Sequence, residues 1–226
     1  VFLQKKKAFI HCIICEKKQI YSNNLLGYKL DFPYNEKKDF AGYSYRGLHF
    51  MLQNGSVKEK SIFLIGFMGV GKTTIGKELA KKLQREFVDV DHQIEEEYNM
   101  TIPEIFSHYG EAFFRKKEKE LIKALSEQKE KVISLGGGAF LQEDIRNACL
   151  ENGIVIYIDM SFKAWKERIP FIIDSRPVLQ GKTDDEVKAL FNTRKEIYRN
   201  HHLKVTTDGN KVEETVDAII DSLDLA

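Results

Sequence analysis

Cysteine is scarce: the chain of 226 residues has three, Cys12, Cys15 and Cys149. That is too few for a disulfide framework, and a reducing cytoplasm is the simplest setting for it. Long apolar runs are missing too. None approaches the roughly 18 residues of a membrane span, and the longest candidate, Ile154–Ile158, stops at Asp159 as a buried strand would. Near the start, the apolar stretch 8–15 is interrupted by His11 and followed by Glu16, Lys17 and Lys18, without a cleavage signal for secretion. A second cysteine pair to join Cys12, Cys15 and His11 is absent as well. A zinc site would have to recruit Cys149 and His49 from far away, so metal binding there is not expected. Nor is there an N-K-x-D segment to read guanine; 208–211, Asp-Gly-Asn-Lys, does not match. A GTPase switch is therefore disfavoured.

Net charge is almost absent at +1, but its distribution is uneven. Residues 1–60 hold 11 basic and 5 acidic side chains; the remainder holds 24 and 29. The first part is basic and aromatic-rich, without a sustained period. RNA contact would need a recognisable module, and none is visible there. We expect an extension over 1–60, irregular or non-native, with the working enzyme starting near Met51, and a domain over 61–226.

From residue 61 onward, short apolar runs alternate with amphipathic stretches. Strands are expected at 61–65, 87–90, 131–135, 154–158 and 203–207. Helices are expected at 72–83, 91–98, from Thr101 onward, and at 111–128, 142–151, 161–168, 184–200 and 212–223. Thr101 and Glu104 match a capping box. This alternation predicts an α/β architecture with about five parallel strands and helices on both faces, with ligands at the carboxyl ends of the strands.

Chemistry-bearing segments sit at those ends. Gly66-Phe67-Met68-Gly69-Val70-Gly71-Lys72-Thr73 is a full G-x-x-x-x-G-K-[ST] phosphate loop between a strand and a helix. Its backbone N–H groups and the helix N-terminus suit phosphates, Lys72 suits the β/γ oxygens, and the Thr73 hydroxyl suits Mg²⁺. Asp89 and Asp91 close the second strand, where alternation would place both on one side. Arg115 and Glu118 stand three apart on one helix; alone, such a pair reads as a surface ion pair. Gly136-Gly137-Gly138 ends the third strand and lets backbone approach a ligand closely.

With 176–179 (R-P-V-L) and Arg194–Tyr198 (R-x-x-x-Y), these segments run in order from Ile62 to about Ile220 and resemble the shikimate kinase family, closest to those of Bacillus-type bacteria. The resemblance implies a three-layer P-loop kinase fold with a mobile lid at about 168–182, containing Pro170, Pro177 and Gly181. It implies transfer of the γ-phosphoryl group of ATP to the 3-hydroxyl of shikimate, by a cytoplasmic monomer with no nucleic-acid or membrane partner. Asp91 would position the hydroxyls and accept a proton. Arg115 and Arg194, with the backbone of Gly137 and Gly138, would hold the carboxylate. Gly69, Val70, Gly71, Lys72, Thr73 and Thr74 would hold ATP phosphates. Asp89 would hold Mg²⁺ through water beside Thr73. Arg176 would bring lid charge to the phosphates, and Arg168 would stack on adenine. Gluconate kinases share the loop and the fold; the combined segments favour shikimate. A non-enzymatic module would show a broken catalytic position, and none is broken. After the last strand only Lys211 stands where the family often carries a further basic contact.

Overall fold

The computed structural model describes residues 57–169, 177–179 and 181–225. The expected extension up to residue 56, with Cys12, Cys15, His11, His49 and Met51, lies outside the described residues. So do Pro170 and Arg176 of the expected lid.

Strand β1 (Ile62–Ile65) leads to α1 (Lys72–Leu83); β2 (Glu86–Asp89) runs directly into α2 (Val90–Tyr98). Helices α3 (Ile102–Tyr109) and α4 (Glu111–Ser126) precede β3 (Lys131–Ser134), and α5 (Glu143–Asn152) precedes β4 (Ile154–Asp159). The short α6 (Phe162–Lys166), α7 (Asp184–Tyr198), β5 (Leu203–Thr206) and α8 (Val212–Leu223) follow. The five strands form one parallel sheet in the order β2-β3-β1-β4-β5.

Burial follows this order. Every residue of β1 and β4 is buried, while the edge strands β2 and β5 are only partly so. A central parallel strand is covered on both faces, which demands the unbroken apolar runs Ile-Phe-Leu-Ile and Ile-Val-Ile-Tyr-Ile. Helices flank the sheet: α1 packs against α8 and β3, and α5 lies against β4 and α4. No helix among the described residues is long and apolar enough to cross a membrane.

Two expectations change. Strand β2 stops at Asp89, so Asp89 and Asp91 are not alternate positions of one strand. Asp89 is the N-cap of α2, its carboxylate accepting the His92 N–H at 3.4 Å, and Asp91 lies in the first helical turn. A short carboxylate that reaches the backbone ahead of it starts a helix rather than prolonging a strand. Likewise α6 ends at Lys166, where the Arg168 N–H tightens onto the Trp165 carbonyl at 2.9 Å.

Candidate active site

The phosphate loop begins where β1 leaves the sheet. A side chain at Gly66 would put a Cβ 2.5 Å from the Ile158 carbonyl oxygen, so only glycine lets the loop pass β4 this closely. Gly71 caps α1 at a φ of 102°, a left-handed conformation that suits glycine. No side chain caps the first N–H groups of α1 and no acidic residue sits in its first turn, leaving the positive helix end open to an anion. Lys72 is buried, its Nζ donating to the carbonyls of Gly66 at 2.9 Å and Phe67 at 3.0 Å. The loop thus curls round its own lysine. Thr73 and Thr74 are exposed at the mouth of α1. The Thr73 hydroxyl donates to Asp89 Oδ2 at 2.7 Å, joining the loop to the end of β2. Arg168 is exposed, and its Nη1 donates to the Gly69 carbonyl at 3.2 Å. Arg168 therefore borders the loop here; its expected adenine contact is untouched by this geometry.

Beside the loop, the glycine turn after β3 is the meeting point of the acceptor residues. A Cβ on Gly136 would lie 2.5 Å from Asp91 Oδ1 and 3.0 Å from Glu118 Oε1. One on Gly137 would lie 3.4 Å from Arg194 Nη1 and from the Met68 amide nitrogen, and one on Gly138 3.1 Å from both terminal nitrogens of Arg115. Three elements, α2, α4 and α7, thus deliver two arginines and two carboxylates onto a floor without side chains, next to the phosphate loop.

The charges differ in how well they are partnered. Arg115 Nη1 binds Glu118 Oε2 at 2.9 Å, while its Nε and Nη2 bind Glu111 at 3.2 and 3.1 Å. Burial works against the Arg115 charge, but Glu118 and Glu111 outweigh it and raise its pKa above the ordinary value. Glu118 has no exposed surface, so the pair is not the surface ion pair that the spacing alone suggests. Burial pushes the Glu118 carboxyl up to about 6, against the pull of Arg115 and with help from the nearby Asp91. Gln142 Nε2 donates to its Oε2 at 3.1 Å, whereas Oε1 has no partner among the described residues. Gln142 carries no sequence signal; only the fold brings it in.

Arg194 is 7% exposed, and its Nε and Nη1 have no hydrogen-bond acceptor among the described residues. Burial lowers its pKa, and Arg115 adds to that as a like charge. Its guanidinium lies over the Phe67 ring, 5.4 Å from the centroid. One turn further along α7, the Tyr198 hydroxyl donates to the Gly137 carbonyl at 2.6 Å and fixes the glycine turn; burial pushes its pKa up to about 12, so it stays a donor. The R-x-x-x-Y spacing already marks this residue. His92 is exposed, its Nε2 3.4 Å from Glu96 Oε1, and Cys149 is fully buried in the core. Neither takes part in the site.

A buried guanidinium with unmet donors, beside a second arginine, calls for a planar anion such as a carboxylate. From the first turn of α2, the Asp91 carboxylate reaches the same glycine turn, where a carboxylate can accept from a hydroxyl. The loop beside it suits phosphates.

Known proteins resemble this chain over most of its length. A family model described as shikimate kinase matches residues 68–224. The shikimate kinase of Bacillus subtilis is 55% identical over 168 residues, 74% of this chain and 90% of the relative. That of Bacillus licheniformis is 53% identical over 173 residues, 76% of this chain and 98% of the relative. Among solved structures, shikimate kinase from Acinetobacter baumannii in complex with shikimate is 32% identical, with a TM-score of 0.68, covering 78% of this chain and 96% of that one. The chain belongs to the shikimate kinase family and is an ATP-dependent kinase.

Proposed function

We propose that the chain phosphorylates the 3-hydroxyl of shikimate through the residues converging on the glycine turn. The single observation carrying this reading is Arg194: a buried guanidinium with two orphaned donors, set against Arg115 and Gly137. In this reading Arg115 and Arg194 bind the acceptor's carboxylate, with Gly137 and Gly138 leaving room for it. Asp91 orients the 3-hydroxyl and accepts its proton as the oxygen bonds to the γ-phosphorus. The bond from that phosphorus to the bridging oxygen breaks, and ADP leaves. Lys72 exchanges its loop carbonyls for phosphate oxygens, and Gly69, Val70, Gly71, Thr73 and Thr74 support the phosphates. Such a transfer asks for positioning and charge neutralisation more than covalent help from the protein.

Mg²⁺ fits the donor set. Thr73 Oγ1 and Asp89 Oδ2 are hard oxygens held together at the loop, with no cluster of three or more ligating side chains among the described residues. That suits an ion that keeps its waters and arrives on phosphates. Mg²⁺ would neutralise phosphate charge; Thr73 and Asp89 would hold it, Asp89 through water. A cleft lined by Thr74, Lys77 and Val212 continues from the loop. Arg168 borders the loop from the lid side, and Arg176 enters this reading from the sequence pattern alone. We further read 61–226 as the kinase domain, acting as a cytoplasmic monomer; mass spectrometry of the natural protein tests whether residues 1–50 belong to it.

ADP release with Mg-ATP, measured with shikimate, with gluconate and without acceptor, tests the reaction. Release is expected with shikimate only; release with gluconate alone would overturn the roles of Asp91, Arg115 and Arg194. Asp91→Asn should abolish turnover while ATP still binds, and a normally active variant would remove Asp91 from the mechanism.

A further inference from the structure

Trp165 is the one tryptophan of the chain and has no exposed surface. It sits on α6, outside the segments that mark the active site. Its ring is walled in by Phe67 at 5.0 Å in an edge-on contact, and by Phe162 and Phe191, both at 5.7 Å between centroids. Its indole Nε1 donates to the carbonyl of Met68, inside the phosphate loop, at 2.7 Å. The next carbonyl, that of Gly69, accepts from Arg168 three residues further along the same segment.

A trans peptide is planar, and its C=O and N–H point in opposite directions. Fixing the Met68 carbonyl toward α6 therefore turns the Gly69 N–H away from α6. Fixing the Gly69 carbonyl does the same for the Val70 N–H. Gly69 itself has a φ of 77°, so the loop backbone at this point can rotate in ways that a residue with a side chain resists. An indole locked among three aromatic rings is a rigid peg against which that freedom is removed.

We propose that Trp165 is a positioning residue for the nucleotide: its N–H sets the peptide planes of the phosphate loop so that the Gly69 and Val70 amides face the phosphates before ATP arrives. This inference rests on the reading of 66–73 as the ATP phosphate site. A buried indole needs an acceptor in any case, so a role in packing alone is the rival, and the two differ in what they move.

Trp165→Phe keeps a ring and removes only the donor. KM for ATP is expected to rise about tenfold, in keeping with one well-placed buried hydrogen bond, with KM for shikimate unchanged. A folded variant with both constants unchanged, or with both raised alike, would overturn the proposal. In the native chain, ¹⁵N-labelled tryptophan has a single indole N–H resonance, which should shift with ADP and stay put with shikimate. An indole unmoved by saturating ADP would overturn the proposal even if the phenylalanine variant fails to fold. Lys72→Ala separates this failure from that of the underlying reading. Wild-type ATP handling in that variant would sink the phosphate-loop assignment itself, whereas its loss beside an indifferent Trp165→Phe would remove only the role of Trp165.

Discussion

Arg194 and Glu118 hold opposite charges in equally dry surroundings, and each is left incompletely paired. Arg194→Ala removes the orphaned donors and should raise KM for shikimate by about two orders of magnitude, the scale of a charge-assisted pair of hydrogen bonds, with KM for ATP nearly unchanged. Steady-state titration of each substrate reads the split. Glu118 acts on stability. Its pKa rises from 4.5 to about 6 on folding because burial penalises the ionised form, despite Arg115. The folded state therefore holds the proton more tightly. The resulting stabilisation is complete below 4.5 and lost as pH rises through about 6. Arg115, Asp91 and Glu111 all face this carboxyl electrostatically. Glu118→Gln does not titrate, so the stability of wild type relative to the variant should fall by about 2 kcal/mol across that window. Urea unfolding at a series of pH values measures it; parallel curves would refute the assignment. The i, i+3 spacing of Arg115 and Glu118 was legible in the sequence. The burial of Glu118 was not, because it depends on neighbours brought in by the fold, such as Gln142 and the glycine turn.

Among the elements, α7 carries Arg194 and Tyr198 to the glycine turn and packs Phe191 against Phe67 and Trp165. Its start is secured by a capping box: the Thr183 N–H donates to the Glu186 carboxylate at 2.8 Å, and the Thr183 hydroxyl accepts the Glu186 N–H at 3.4 Å. Thr183→Ala should cost about 1 kcal/mol and lower Tm by about 2–4 °C for a domain of this size. Turnover at saturating substrates should hardly change, because Arg194 lies several turns beyond the cap. Calorimetry alongside the kinetic assay tests both parts. Helices α1 and α8 match their expected bounds because apolar spacing and flanking glycine or polar residues agree there. The β2–α2 junction lies one residue earlier than the pattern suggests, at Asp89 rather than after Val90. The pattern Phe-Val-Asp-Val-Asp alternates like a strand, yet Asp89 spends its carboxylate on capping α2 and on Thr73.

At the scale of the whole molecule, stability resides in the two buried central strands, β1, which launches the phosphate loop, and its neighbour β4. Ile156 has no exposed surface and pairs in register with Leu64 on one side and Leu203 on the other. Ile156→Ala should cost about 2–5 kcal/mol, read as a lower denaturation midpoint with an unchanged slope. A loss well under 1 kcal/mol would mean that the core collapses round the gap.

The sequence by itself determined the sheet class and the phosphate loop, because period, glycine placement and motif spacing are local properties of a chain; it singled out Asp91, Arg115, Gly137, Gly138 and Arg194 through the resemblance to a family. Only the tertiary structure decided that these residues share one floor, that Glu118 is dry, that Gln142 joins it, and that Trp165 grips the Met68 carbonyl. Those facts depend on strand order and on which helix covers which turn, and separations such as that between Trp165 and Met68 leave no periodic trace along the chain.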